Sequence, residues 1–268
     1  MQSENRGEPM SKTIVIANQK GGVSKTSTVH CMATGLSHMK YNVLAVDTDP
    51  QGNLTYIMGA DPNKPGVYEL LNDKILAPDA VQQAGQGPII SSNTRLANAN
   101  REMTGKEAYK RLANALEPFK AVYDYIIIDT PPAMGILVIN ALAAADDVII
   151  PMTADALSLQ GLSQLYSTIK AVKKTNPALN VAGILLCRYS GRTVIAREIK
   201  QLVAERAGQM ETRLFNTTIR ESVALKEIQA KISNPYGSFF KSKPANDYLS
   251  FIAEYLGDNH RSLKLIQI

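Results

Sequence analysis

The densest cluster of chemistry-bearing residues is Gly21-Gly22-Val23-Ser24-Lys25-Thr26, followed by Ser27. Paired glycines let a backbone curl until successive N–H groups point inward, an arrangement that suits phosphate oxygens. The Lys25 ammonium can then reach β and γ phosphates, and the Thr26 hydroxyl can ligate Mg²⁺. A helix opening near Lys25 adds its positive N-terminal dipole. The pattern departs from GxxxxGK[ST], because Gln19 and Ser24 stand where glycines are required. An extra lysine, Lys20, precedes the glycine pair. Ser24 has to accept the backbone angles that the loop imposes, a positive φ included.

Two acids complete the set. Asp47 ends an apolar run in VDTDPQGN, and Asp129 ends another in YDYIIIDTPP. A carboxylate at the mouth of a sheet can hold Mg²⁺ or a water bound to it. Asp129 reads as the acid that holds the metal. Asp47, with the same metal in reach, is placed to orient the attacking water or take its proton. Either aspartate alone is equally well read as a loop residue capping the next helix.

The surrounding elements must position these groups. Apolar runs occur at Thr13–Ala17, Asn42–Val46, Tyr125–Ile128, Val148–Ile150 and Val181–Leu186. Such runs are apolar on both faces, as in parallel strands covered by helices on both sides. Helical patterns alternate with them at Lys25–His38, Lys106–Leu116, Met134–Ala145, Ala156–Lys174 and Thr193–Arg206. Between Gly52 and Leu96 the chain reads as irregular, with short helices at Val67–Leu71 and Pro78–Gln83. The alternation predicts a doubly wound α/β domain with a mainly parallel sheet. Right-handed crossovers then gather the strand C-termini along one ligand-binding edge. Residues 12–257 are expected to form one domain, with a flexible lead at 1–11 and a tail at 258–268.

The motif KGGVSKT resembles the deviant phosphate loop, KGGxxK[ST], of the ParA/MinD family of P-loop ATPases. DTDPQGN, IIIDTPP, AADDVIIP and GLSQL extend the resemblance over most of the chain, and the DPQGN stretch is more ParA-like than MinD-like. The resemblance implies ATP and Mg²⁺ as ligands, an ATP-sandwiched homodimer, and a cross-subunit role for Lys20 on the partner's phosphates. It also implies slow intrinsic hydrolysis, non-specific DNA binding and stimulation by a ParB-type centromere-binding protein. Arg188, after the Val181–Leu186 strand, is placed to stack on adenine, or to be a plain surface arginine. The expected setting is cytoplasmic and nucleoid-associated, without a membrane.

Composition narrows the alternatives. Hydrophobic residues make up 45% of the 268 residues, too many for whole-chain disorder. The two cysteines, Cys31 and Cys187, cannot build a disulfide framework or a four-thiolate site. MQSENRGEPM lacks an apolar signal core. Residues 1–150 carry 13 Lys and Arg against 15 Asp and Glu, whereas residues 151–268 carry 16 against 9. A basic half can meet a polyanion or merely solvate helix faces. Within the family resemblance, Arg192, Arg220, Lys226, Lys231, Lys241 and Lys243 are the DNA-contact candidates. Two rivals stay open, a MinD-like membrane-associated ATPase and a nucleotide-gated DNA-binding protein with negligible hydrolysis; a metabolic kinase is set aside. A monomeric kinase has no use for Lys20.

Overall fold

A computed structural model describes residues 11–105, 107–231 and 242–257. The strands are β1 (Lys12–Ile16), β2 (Val43–Asp47), β3 (Val81–Ala84), β4 (Gly87–Ile90), β5 (Tyr125–Asp129), β6 (Asp147–Met152) and β7 (Asn180–Leu186). The α-helices are α1 (Lys25–His38), α2 (Asn53–Met58), α3 (Val67–Leu71), α4 (Ala99–Glu102) and α5 (Arg111–Leu116). They continue with α6 (Ile136–Ala144), α7 (Ala156–Lys173), α8 (Val194–Gln209), α9 (Val223–Ala230) and α10 (Lys243–Tyr255).

The sheet order is β3-β4-β2-β5-β1-β6-β7. All neighbouring pairs are parallel except β3 with β4. Burial on both faces explains the continuous apolar strands. Ile14 and Ile16 of β1 pack in one core with α1 and α10, whereas Val15 and Ala17 pack in the other with α6 and α7. Side chains alternate across a strand, so one five-residue run feeds both cores. The doubly wound α/β reading is therefore correct.

Two expectations for the 52–96 stretch need correction. Pro78–Gln83 is not one helix: a 3₁₀ turn covers Ala77–Ala80, and the chain then enters β3. β3 and β4 form an antiparallel hairpin that joins the sheet edge through Ala45↔Ile89 and Val46↔Ile90. Ile89 and Ile90 are fully buried by that pairing. Four-residue strands carry too few residues for a period to stand out; the neighbouring strand completes them. The expected Lys106–Leu116 helix starts outside the described residues. Its described part is a 3₁₀ turn at Ala108–Lys110 followed by α5. The sequence patterns above do not mark α10. Among the described residues, no helix is long and apolar enough to cross a membrane.

Candidate functional site

The loop after β1 is tied at its base before it turns. Asn18 donates its side-chain amide to Pro151 O at 2.7 Å and accepts the Lys20 N–H at 3.0 Å. Gly22 then takes φ 74° and Ser24 takes φ 73°, both left-handed. A Cβ placed on Gly21 or Gly22 would meet nothing within 4 Å, so the glycines border an open concavity. The first turn of α1 has no acidic residue and no side-chain cap. Its N–H groups are thus left to an outside acceptor. Ser24 adopts the positive φ that glycine adopts without steric cost, a strain of about 1–2 kcal/mol for an L residue.

Lys25 opens α1 and is only 7% exposed. Its ammonium donates to Lys20 O at 3.1 Å. Burial pushes its pKa down, while the charges of Asp129 and Asp49 act in the opposite direction.

The two strand-end acids are brought side by side by register. Asp47 of β2 lies opposite Asp129 of β5, and Asp129 lies opposite Ile16 of β1. Both carboxylates are completely buried. Asp47 accepts from the Asp49 N–H at 3.1 Å, the Thr55 N–H at 2.8 Å and the Thr55 hydroxyl at 2.8 Å. It therefore anchors the start of α2. Asp129 accepts the Thr130 N–H on Oδ1 at 3.0 Å, but its Oδ2 is buried without a hydrogen-bond partner. Burial raises the pKa of both acids, and their mutual repulsion raises that of Asp129 further; Thr26 and Lys25 draw Asp129 back. A buried carboxylate oxygen with no donor is costly unless something compensates it.

Lys20 has a partner that sequence reasoning missed. Its ammonium sits 2.7 Å from both oxygens of Asp155 and 3.2 Å from Ser158 Oγ. Asp155 is the N-cap of α7 and accepts the Ser158 N–H at 3.0 Å. Burial would raise the Asp155 pKa. Hydrogen bonds from Lys20, Thr153 and Ser158 outweigh that and hold it well below the usual carboxylate range. An available signal was an Asp just before a helix and just after a strand, the N-cap position.

A cleft of about 500 Å³ opens over the glycine loop and the start of α1, lined by Gly22, Lys25, Asp49, Asn53, Arg188 and Lys226 among others. Arg188 has φ 54° and donates through Nε and Nη2 to Glu221 at 3.1 and 2.7 Å. Its Nη1 lies 3.4 Å from Gly22 O. Arg220 is gripped at 2.7 Å by both oxygens of Asp247 on α10. Arg220 thus pairs on the protein surface with Asp247, while the adjacent Glu221 is engaged by Arg188. Arg192, Lys231 and Lys243 are exposed. Lys241 lies outside the described residues. Cys31 and Cys187 are buried, and burial raises both thiols. Buried protonated thiols are poor nucleophiles and metal ligands.

The donor set fits a magnesium nucleotide. Thr26 supplies a hydroxyl and Asp129 a buried carboxylate beside it, the hard oxygen ligands that Mg²⁺ prefers. The glycine-edged concavity is open where phosphates would lie.

Comparison with known proteins agrees with this geometry. A family described as an AAA domain matches residues 11–181. The chain is 38% identical to the chromosome partitioning protein ParA of Myxococcus xanthus, over 91% of this chain and 88% of that protein. It is 38% identical to the sporulation initiation inhibitor protein Soj of Bacillus subtilis, over 81% of this chain and 87% of that one. Among solved structures, a cobyrinic acid a,c-diamide synthase from Mycobacterium smegmatis with bound ADP and magnesium superposes with a TM-score of 0.81. That match has 32% identity and covers 94% of this chain and 98% of the other.

Proposed function

The chain belongs to the family of P-loop ATPases that includes ParA and Soj, and from that premise we propose that it is a nucleotide-switched DNA partition ATPase. The observation that carries this reading is a cleft lined by Gly21, Gly22, Lys25 and Thr26, with the buried Asp129 carboxylate held in reach of Thr26 and the charge of Lys25. ATP would bind with its β and γ phosphates on Lys25 and on the N–H groups of Gly21 to Ser27. Thr26, Asp129 and Asp47 would hold Mg²⁺, which when bound neutralises charge on the phosphoryl oxygens.

Asp47 would orient the attacking water and accept its proton. Its raised pKa suits a base near neutral pH. It also fastens Thr55, so the group that handles water and the start of α2 move as one. Lys20 would leave Asp155 to reach the phosphates bound by a second copy, coupling dimer formation to ATP. The dimer would bind DNA through phosphate contacts from Arg192, Arg220, Lys231 and Lys243, without sequence preference. Lys241 belongs to the same proposed set. A ParB-type partner would trigger hydrolysis and release. Intrinsic turnover would be slow, and the protein would act in the cytoplasm on the nucleoid.

The test is DNA binding measured with ATP, with ADP and without nucleotide. Tight binding only with ATP is expected. Equal binding in all three states would overturn the switch, and ATP-dependent binding to anionic vesicles in place of DNA would favour the MinD-like reading.

A further inference from the structure

Lys226 stands apart from the other basic residues of the C-terminal half. It lies on α9, whose Leu225 and Ile228 are buried and fix the helix against the body of the protein. One helical turn beyond Lys226, Gln229 accepts a hydrogen bond from Ser27 Oγ at 3.3 Å. Residues three apart share a helix face. The face that carries Lys226 is therefore the face docked on the first turn of α1. Lys226 lines the nucleotide cleft together with Lys25, Thr26 and Ser27. Among the described residues its ammonium has no ion pair or hydrogen bond, in contrast to Lys20, Arg188 and Arg220.

We propose that Lys226 is a nucleotide-binding residue, supplying a cationic contact to the phosphate nearest the ribose. The position follows from the order of the loop. Lys25 serves the β and γ phosphates, and the following residues of α1 lie toward the α phosphate. Lys226 approaches from the Ser27 side, so its charge meets the α phosphate, which ATP and ADP both carry. It contributes affinity without telling the two apart, a task left to Lys25 and the acids. Because Arg220 precedes α9 by three residues, this helix also joins the nucleotide cleft to the proposed DNA surface. The inference rests on the proposed nucleotide site.

Calorimetric titration of full-length protein with MgADP and with Mg²⁺ and a non-hydrolysable ATP analogue tests it. Lys226→Gln should weaken both ligands alike, by roughly tenfold, the scale of a charged hydrogen bond. Lys226→Arg should retain most of the affinity. Since Lys226 is exposed, unfolding without nucleotide should not change. Unchanged affinity for both ligands overturns the proposal, as does a loss confined to the triphosphate. Weakened DNA binding at unchanged nucleotide affinity would return Lys226 to the DNA surface and overturn it too. Wild-type protein that binds neither ligand would sink the nucleotide site itself, a separate and visible failure.

Discussion

The strand-edge site and the C-terminal basic surface treat charge in opposite ways. At the strand edge, Lys25, Asp47 and Asp129 are buried, and Asp129 keeps an oxygen with no partner. In the C-terminal region Arg188 and Arg220 are about half exposed and already matched, with Glu221 and Asp247 respectively. Buried charge left uncompensated lowers stability, so its presence points to a ligand that compensates it. Exposed pairs contribute little and can exchange partners readily. Such a contrast suits tight ligand binding in the first region and contacts that salt and competing charges can undo in the second.

The largest effect should come from separating the two buried acids. Asp129→Asn should abolish detectable Mg²⁺-ATP binding, measured by calorimetry. It should also stabilise the nucleotide-free protein at neutral pH. A carboxyl whose folded pKa lies above its unfolded value favours folding at low pH, and that contribution is lost as pH rises through the folded value. Asparagine removes this penalty, so the variant should be more stable than wild type at neutral pH, with the gain shrinking as the pH falls. Asp47→Ala should instead retain ATP and accumulate a long-lived dimer, because the water-handling group acts on the chemical step. Equal loss of binding in both variants would erase the division of roles.

Next in size is the hold of Asp155 on Lys20. Lys20→Ala should bind nucleotide as a monomer and fail to turn over. Asp155→Asn keeps an N-cap for α7 but removes the charge that retains Lys20. Light scattering with a slowly hydrolysed analogue should show dimers at about fivefold lower nucleotide concentration, the scale of a partly exposed ion pair. Dimerisation unchanged from wild type would mean that the pair does not compete with the partner's phosphates.

A smaller effect distinguishes pairing from DNA contact at Arg220. Arg220→Ala should reduce the salt slope of log K by about one unit. Asp247→Asn breaks the same pair but leaves the arginine available, so DNA binding should hold or strengthen. If both variants weaken DNA binding equally, Arg220 acts only by positioning α10. The smallest change expected is in Ser24→Gly. Relief of its left-handed backbone, offset by glycine's greater unfolded freedom, should stabilise the protein by about 0.5–1 kcal/mol. Thermal unfolding would reveal it; a lower midpoint would mean that the serine side chain contributes more than its strain costs.

The phosphate loop, the strand-end aspartates and the parallel sheet were all legible in the sequence, because each depends on residues within a few positions of one another. Two glycines permit a curl, a lysine and threonine follow at fixed offsets, and an apolar run ends in an acid. The tertiary structure alone decided what those charges face. Lys20 meets Asp155 across 135 positions, Arg220 meets Asp247 across 27, and Ser27 meets Gln229 across 202. The β3–β4 hairpin likewise exists because β2 offers an open edge, and its four-residue strands carry no period of their own. Local backbone preference acts over a turn or a strand, whereas an ion pair depends on how helices pack on a completed sheet. A reading along the chain therefore found the loop and the acids proposed to bind a magnesium nucleotide, and the fold determined which charged groups pair; among the described residues, Lys226 lines the cleft without an ion pair.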